Sequence, residues 1–306
     1  MPAHPIFQPF PNVTPAERAE LQRIGPIWGQ DIQAHREIVF GIYGPLLAKA
    51  AKPATVERDI KFGDDPRQVL DVFMPTGPKH GGVFAFVHGG AFVRGGKCVT
   101  PEIYDNMLWY FARHGYVGVN IEYRNGDEAP YPGGSVDVGS AIAWIKANIA
   151  RFGGDPEQIH LAGHSAGSTH IATYALDPIV RPAAGPGIAS LILLSGRLRV
   201  DVHPDNPNAG PVKIYYGADP SQYDKRSCVT YAERCDMPVF IGIAEYENPY
   251  LDLYGLEFAH KVAVKRRRAP RLVRLMHHNH ISLVAHIGSE DDVLGGAIRD
   301  FMALGR

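Results

Sequence analysis

The segment Gly163-His164-Ser165-Ala166-Gly167 has the residue types and spacing that most directly indicate chemistry. It has the form G-x-S-x-G, follows the apolar run 159–162 and precedes a small-residue stretch that favours a helix. In this strand–turn–helix setting the two glycines permit a sharp turn, and the helix N-terminus stabilises nearby negative charge. The pattern predicts that Ser165 attacks a carbonyl carbon. The alternative is a glycine-rich turn without chemistry.

A second motif, HGGAF at residues 88–92, directly follows the apolar run 82–87. The tetrahedral intermediate of acyl transfer needs two or three backbone N–H groups that converge on one oxygen. Only small residues let the backbone approach so closely. We assign these donors to the N–H groups of Gly90, Ala91 and Ala166, with Gly89 providing the turn. Nucleotide binding is disfavoured because the segment has no G-x-G-x-x-G, and Cys98 stands where a P-loop requires Ser or Thr.

A general base and an acid are expected after the serine, with the base last in chain order. The segment after the final predicted strand supplies the candidate bases His277, His278 and His280. The segment after the predicted strand 239–244 supplies the candidate acids Glu245, Glu247 and Asp252. The clustered histidines are an alternative metal site, but no Cys or carboxylate at ligand spacing accompanies them, so no metal is expected.

Alternating strand and helix patterns predict an α/β fold with a mostly parallel, doubly wound sheet of about eight strands. Ligands bind at the carboxyl ends of the strands in such sheets. The predicted strands are 56–62, 68–74, 82–87, 116–121, 159–162, 189–194, 239–244 and 271–276. The predicted helices include 15–23, 31–49, 101–114, 135–152, 252–265 and 291–303, and Val136, Ile142, Ile145 and Ile149 are expected to face inward in the fourth of these.

The chain is expected to form one structural domain. Residues 1–15 look extended, and residues 1–55 as a whole are predicted to form a helical lid segment over the active-site end. Residues 56–306 are predicted to form the catalytic domain. Residues 197–236 are irregular and rich in proline, and are expected to be a second lid insertion.

Composition limits the classes of partner. The 306 residues carry a net charge of −1, with a pI near 6.9, which argues against nucleic acid and anionic membranes as partners. The three cysteines lack C-x-x-C spacing, which favours a reducing compartment, the cytoplasm. No signal-peptide pattern and no membrane-spanning apolar run are visible. No cofactor is implied.

Taken together, these motifs resemble the hormone-sensitive-lipase-like carboxylesterases of the α/β-hydrolase superfamily. Further matching segments are Tyr123-Arg124 before Pro130-Tyr131-Pro132, Gly153-Gly154-Asp155-Pro156, and Asn279-His280-Ile281-Ser282. The similarity covers roughly residues 56–303 and implies Ser165 as nucleophile and His280 as base. For the acid it favours Glu247, with Glu245 as the alternative. Two departures are Ala91 in place of a glycine and a Glu in place of the usual Asp.

The resemblance implies a serine carboxylesterase that hydrolyses small or short-acyl esters through an acyl-enzyme, with a small-molecule ester as partner and a possible homodimer. An amide or formamide hydrolase with the same triad is the first alternative. A non-catalytic binding protein of the same fold is the second. Arg94 and Lys97 are surface charges or contacts for an acidic substrate. The aromatic residues that are candidates to line a pocket, or else to pack in the core or lid, are Trp28, Phe92, Tyr215, Tyr216 and Tyr223.

Overall fold

A computed structural model describes residues 12–304 of the chain. Its eight strands are β1 (Ala54–Lys61), β2 (Val69–Pro75), β3 (Val83–Val87), β4 (Val117–Ile121), β5 (Ile159–His164), β6 (Ser190–Leu194), β7 (Val239–Tyr246) and β8 (Arg271–Asn279). They form one sheet in the order β1-β2-β4-β3-β5-β6-β7-β8. Each predicted strand is present, with ends that differ by up to three residues from the prediction. The predicted extended character of residues 1–15 falls mostly outside the described residues.

The sheet is mostly parallel, as predicted. Strands β1 and β2 form an antiparallel pair, and β2 also lies antiparallel to β4. From β4 to β8 the neighbours run parallel, with β3 between β4 and β5. Every residue of β3, β4, β5 and β6 is buried, which is the reason for their nearly continuous apolar sequences. Because β5, β7 and β8 run in the same direction, their carboxyl ends lie at one edge of the sheet.

Helices cover both faces of the sheet. They are α1 (Pro15–Ile24), α2 (Ile32–Lys49), α3 (Asp105–Arg113), α4 (Gly133–Asn148), α5 (Ala166–Leu176), α6 (Ala209–Tyr216), α7 (Tyr223–Arg226), α8 (Leu251–Arg266), α9 (Ser282–Ala285) and α10 (Val293–Leu304). Alternate residues of β3 belong to two separate core clusters. One cluster includes residues of α4, α5 and α8, and the other includes residues of α1, α2, α3 and α10. This two-sided packing is the doubly wound arrangement that the sequence predicts.

Helix α1 begins as its sequence indicates. The Thr14 side chain accepts the N–H of Glu17 at 3.3 Å, and the Glu17 carboxylate accepts the N–H of Thr14 at 2.9 Å. This reciprocal pair satisfies two amides that no helical carbonyl reaches. Pro15 occupies the first position, where a missing N–H costs nothing.

The prediction for α4 was wrong at Val136, which is 45% exposed. Val138, Ile142 and Ile145 form its buried face instead. Position 142 lies six steps along the helix from position 136. At about 100° per step, their side chains point about 120° apart. The helix also ends earlier than predicted, at Asn148, and a 3₁₀ turn over Ile149–Phe152 follows it.

The prediction that residues 197–236 are irregular was wrong in part. This segment contains α6, α7 and the 3₁₀ turns Pro220–Gln222 and Cys228–Arg234. Its prolines are compatible with helix because Pro211 and Pro220 lie in first turns, where the proline ring displaces no hydrogen bond. Tyr215, Tyr216 and Tyr223 pack with Phe92 in a third buried cluster.

Within residues 12–304, the structure contains no helix whose length and apolar character suit a membrane span. The three cysteines are free thiols, of which Cys98 is exposed and the other two are buried.

Candidate active site

Ser165 lies in a sharp turn between β5 and α5. Its backbone has φ 55° and ψ −121°, and its N–H donates to the Leu194 carbonyl at 2.9 Å. The flanking glycines are required by space, because a Cβ at Gly167 would lie 2.1 Å from the Val87 carbonyl oxygen. A Cβ at Gly163 would lie 2.6 Å from the carbonyl carbon of Gly167. The turn thus depends on both glycines, which explains the spacing of the motif.

His280 directly follows β8 and faces the serine. Its Nε2 lies 3.0 Å from the Ser165 Oγ, and its Nδ1 lies 2.8 Å from the Glu247 Oε2. The backbone N–H of His280 donates to the Tyr246 carbonyl at 3.0 Å, which ties this loop to the end of β7. His278 turns elsewhere, since its Nδ1 lies 3.2 Å from the Ser282 Oγ. Of the candidate bases, His280 is the one placed against Ser165.

Glu247 is the candidate acid that the structure brings to the histidine. Its side chain is 3% exposed, and its Oε1 accepts the N–H of Ala244 at 2.8 Å and the hydroxyl of Ser195. Glu245 instead accepts the N–H of His277 at 2.6 Å. The third candidate, Asp252, lies in the first turn of α8 and accepts the N–H of Leu253 at 2.9 Å.

The Ser195 contact was missed by the sequence reasoning. Ser195 directly follows β6 and has φ 49°. A serine at the carboxyl end of a neighbouring parallel strand was the available signal, because such strand ends meet at the site. Its hydroxyl helps to orient Glu247.

Residues 88–92 form a tight turn beside the serine. Gly90 has φ 157°, and Ala91 and Phe92 have φ values of 49° and 72°. A Cβ at Gly90 would lie 1.7 Å from the Arg94 carbonyl oxygen, so this position needs glycine. Ala91 adopts the left-handed conformation that glycine enters more readily, which shows that the alanine is tolerated in place of the usual glycine.

The predicted oxyanion donors line the same cleft or begin the adjacent helix. Gly89, Gly90 and Ala91 border the cleft that contains Ser165. Among residues 12–304, no hydrogen-bond acceptor is found for the N–H of Gly90 or of Ala91. Ala166 is the first residue of α5, and its N–H belongs to the helix end that has no internal acceptor. These amides are available to a developing negative charge.

Glu122, at the end of β4, fixes the turn at residues 88–92, the predicted oxyanion turn, and was also missed from the sequence. Its carboxylate accepts from His88 Nε2 at 2.7 Å, Arg67 at 2.7 Å and the N–H of Lys97 at 2.9 Å. Burial raises the pKa of Glu122, but His88, Arg67 and the Lys97 amide outweigh it and hold this pKa below its ordinary value. The ionised carboxylate therefore anchors the turn from both sides.

The histidines near the serine turn are buried, in keeping with packing roles. His164 contacts the Tyr104 hydroxyl at 3.1 Å and the His280 carbonyl at 2.9 Å. Complete burial, with the neighbouring His280, lowers the pKa of His164 well below its ordinary value. Burial also lowers the pKa of His160 to about 4 and that of His170 to about 3. These rings are neutral at pH 7.

The cleft over Ser165 has a volume of about 300 Å³ and is walled by α2, the oxyanion turn and residues 207–208. Arg94 lines it, whereas Lys97 pairs with Asp71 at 2.6 Å and Asp59 at 2.8 Å. Elsewhere, Arg124 forms an ion pair with Asp137 at 2.7 Å. The aromatic residues considered for the pocket are all buried, and among the described residues none of them borders this cleft.

A larger groove of about 590 Å³ lies at the opposite edge of the sheet. It is bordered by Val239 and Arg271, the first residues of β7 and β8. Parallel sheets bind ligands at the carboxyl ends of their strands, where Ser165 lies. The smaller cleft is therefore the candidate active site.

Comparison with known proteins gives a consistent set of relatives. Residues 70–176 match the family model described as BD-FAE. Esterase LipC of Mycobacterium tuberculosis is 40% identical over 122 residues, which cover 39% of this chain and 29% of LipC. The human bile salt-activated lipase is 30% identical over 190 residues, which cover 56% of this chain and 24% of the lipase. The matched segments thus span about a quarter to a third of these relatives.

Solved structures agree along nearly the whole chain. The hyperthermophilic esterase from Pyrobaculum calidifontis superposes with a TM-score of 0.69 at 18% identity, covering 96% of both chains. A structure described as an arylesterase gives a TM-score of 0.68 at 18% identity, covering 96% of this chain and 99% of its own. At such identities the likeness shows the fold. The chain has the α/β-hydrolase fold, and the sequence matches to esterases and a lipase confirm its resemblance to the carboxylesterases of that fold.

Proposed function

We propose that the protein is a serine carboxylesterase that hydrolyses small or short-acyl esters through an acyl-enzyme. The observation that carries the proposal is the continuous contact from Ser165 Oγ through His280 to the buried carboxylate of Glu247. This arrangement of nucleophile, base and acid defines a serine triad by geometry, whatever the acid's residue type. The relatives are named as an esterase and a lipase, which supports ester hydrolysis over the alternative of formamide hydrolysis.

Glu247 sets the tautomer of the histidine in this scheme. An ionised carboxylate accepts but does not donate, so the Nδ1 of His280 carries a proton toward Glu247. The Nε2 of His280 is then an acceptor that faces the hydroxyl of Ser165. The serine proton moves to Nε2 as Oγ bonds to the ester carbonyl carbon, and Glu247 stabilises the resulting imidazolium.

The carbonyl oxygen becomes an oxyanion, for which the N–H groups of Gly90, Ala91 and Ala166 are the proposed donors. When the intermediate collapses, His280 protonates the leaving alcohol and the acyl group remains on Ser165. A water molecule then gives its proton to His280 and attacks the acyl carbon. As the second tetrahedral intermediate collapses, His280 returns this proton to Ser165 Oγ, and the carboxylic acid product is released.

The size of the cleft supports small substrates. Its volume of about 300 Å³ is at the lower end of the range for small-molecule pockets, about 300–1,000 Å³. Helix α2 contributes Ile32 and Phe40 to its wall, so an acyl chain meets protein on this side. We therefore expect turnover to decrease as the acyl chain lengthens.

The test is an activity scan over p-nitrophenyl esters from acetate to palmitate, with and without a serine-directed phosphonate. We expect a maximum at short chains, loss of activity after phosphonate treatment and attachment of the reagent to Ser165. The Ser165→Ala variant should lose at least about 10³-fold in kcat with its fold retained. The exposed Ser221→Ala variant is the matched control. Near wild-type turnover by Ser165→Ala would contradict the proposal.

A further inference from the structure

The charges that border the cleft all have the same sign. Its walls carry two arginines, Arg36 from α2 and Arg94 from the oxyanion turn. Among the described residues no aspartate or glutamate borders it. The other polar side chains include the amides of Gln33, Asn208 and Asn248. Two nearby cations in a cleft whose described walls carry no carboxylate create a positive potential in a confined space, which attracts anions.

Arg94 has no ion-pair partner within residues 12–304. Its one side-chain hydrogen bond joins the guanidinium to the neutral Oδ1 of Asn208 at 3.3 Å. Partial loss of hydration, with the charge of Arg36, lowers the pKa of Arg94 below its ordinary value, though a guanidinium stays charged at pH 7. The Arg94 backbone N–H donates to the Gly90 carbonyl at 3.1 Å, so the main chain from which this side chain extends is joined to the turn at residues 88–92.

The guanidinium of Arg36 is also able to bind an anion. Its guanidinium contacts the carboxylate of the adjacent Glu37 at 3.1 Å, and that carboxylate is 59% exposed. Such exposed pairs contribute little because water competes for both partners. The Nε of Arg36 is buried and has no hydrogen-bond partner among the described residues. The guanidinium lies 5.5 Å from the ring centre of Phe40, another residue of the cleft.

We infer that the preferred substrates are anionic esters, in which a carboxylate a few bonds from the scissile carbonyl binds between Arg36 and Arg94. This inference rests on the proposed function and names the substrate class for the same site. A carboxylate matches the planar donor fork of arginine, and two such forks at one cleft orient the substrate as well as attract it. Neutral esters of equal length lack this anchor.

The test uses matched esters. Mono-p-nitrophenyl glutarate and p-nitrophenyl pentanoate have acyl chains of the same length and differ in the terminal carboxylate. For the alcohol side, 3-acetoxybenzoate and 3-acetoxybenzamide form the corresponding pair, followed by acetate release. We expect kcat/KM to favour the anionic member of at least one pair, mainly through a lower KM. The pair that responds shows which side of the ester carries the charge.

The arginine variants decide the origin of that preference. In Arg94→Met and Arg36→Met we expect the anionic-to-neutral ratio of kcat/KM to fall by about tenfold, the scale of a charge-assisted hydrogen bond. Added salt should lower the wild-type ratio through screening. Arg234→Met removes the same charge from an exposed position away from the cleft, and its ratio should stay at the wild-type value. Arg94→Gln provides a second, more polar replacement.

Two results would overturn the inference. The first is an equal kcat/KM for the neutral and the anionic ester in both pairs. The second is an unchanged anionic-to-neutral ratio in both arginine variants while the neutral ester still turns over. Either result leaves the esterase proposal standing. No hydrolysis of any of the four esters, together with no phosphonate labelling of Ser165, would refute both proposals.

Discussion

Replacement of Glu247 by glutamine tests the proposed triad at its least obvious member. The carboxylate accepts from the N–H of Ala244, the hydroxyl of Ser195 and His280 Nδ1. A glutamine amide has one acceptor oxygen. If this oxygen faces Ala244 and Ser195, the NH₂ faces His280 and selects the tautomer protonated on Nε2. That tautomer cannot take the proton of Ser165.

The opposite orientation of the amide preserves the histidine tautomer but places two donors together at Ala244. A buried donor without an acceptor costs about 1–3 kcal/mol. In this orientation the imidazolium also loses a hydrogen bond to a charged group, worth about 1.5–3 kcal/mol. The sum, about 2.5–6 kcal/mol, corresponds to a decrease of about 10²–10⁴-fold in kcat/KM.

The matched control is Glu245→Gln. Glu245 accepts a single backbone N–H, from His277, and the glutamine oxygen can keep that bond. We expect its kcat/KM on p-nitrophenyl acetate to stay within about threefold of wild type, because the hydrogen bond of Glu245 lies outside the proposed triad and can be kept. A loss below about tenfold in Glu247→Gln, or a larger loss in Glu245→Gln, would refute the assignment of Glu247. Circular dichroism would verify that both variants are folded.

Three further predictions concern the scaffold. Gly167→Ala should lower both Tm and activity, because its Cβ would lie 2.1 Å from a backbone oxygen. Retention of both would contradict the steric argument. Asp137→Ala should lower the free energy of unfolding by about 2–3 kcal/mol in urea titrations, because Arg124 loses a buried partner but can partly rehydrate. A change below about 0.5 kcal/mol would show that the pair contributes little. Since burial lowers the pKa of His170 to about 3, the unfolded state binds the extra proton between about pH 6.5 and pH 3. The free energy of unfolding should therefore fall as the pH decreases through this window, by up to about 1.4 kcal/mol per pH unit, and His170→Gln should flatten this slope while the exposed His203→Gln keeps it. Equal slopes in all three proteins would refute the role of His170.

Contiguous motifs were predictable from the sequence because their geometry is local. The sharp turn at Ser165 requires glycines two residues before and after it, and those positions are fixed along the chain. Buried parallel strands likewise show themselves as short apolar runs, so all eight strands were found. The position after the last strand limited the candidate bases to His277, His278 and His280, and the family resemblance singled out His280.

Contacts between distant segments were not predictable in this way. Three acids stood near the end of β7, and only the path of the loop brings Glu247 to His280. The support of the oxyanion turn by Glu122 joins segments that no local pattern links. The sequence also did not distinguish the role of Arg94 from that of Lys97. The structure does, because the Lys97 side chain forms an ion pair with Asp71.

The cleft is assembled from two parts of the chain with different degrees of likeness to other proteins. The segment that matches the BD-FAE model, residues 70–176, holds the oxyanion turn and Ser165. Helix α2 and residues 207–208, which form the facing walls, lie outside that segment. Under the proposed function, substitutions in these walls are therefore expected to change which ester is accepted while Ser165 and the turn at residues 88–92 stay unchanged. Mutant libraries designed to change substrate specificity should vary residues of α2 and keep the residues at the carboxyl edge of the sheet unchanged.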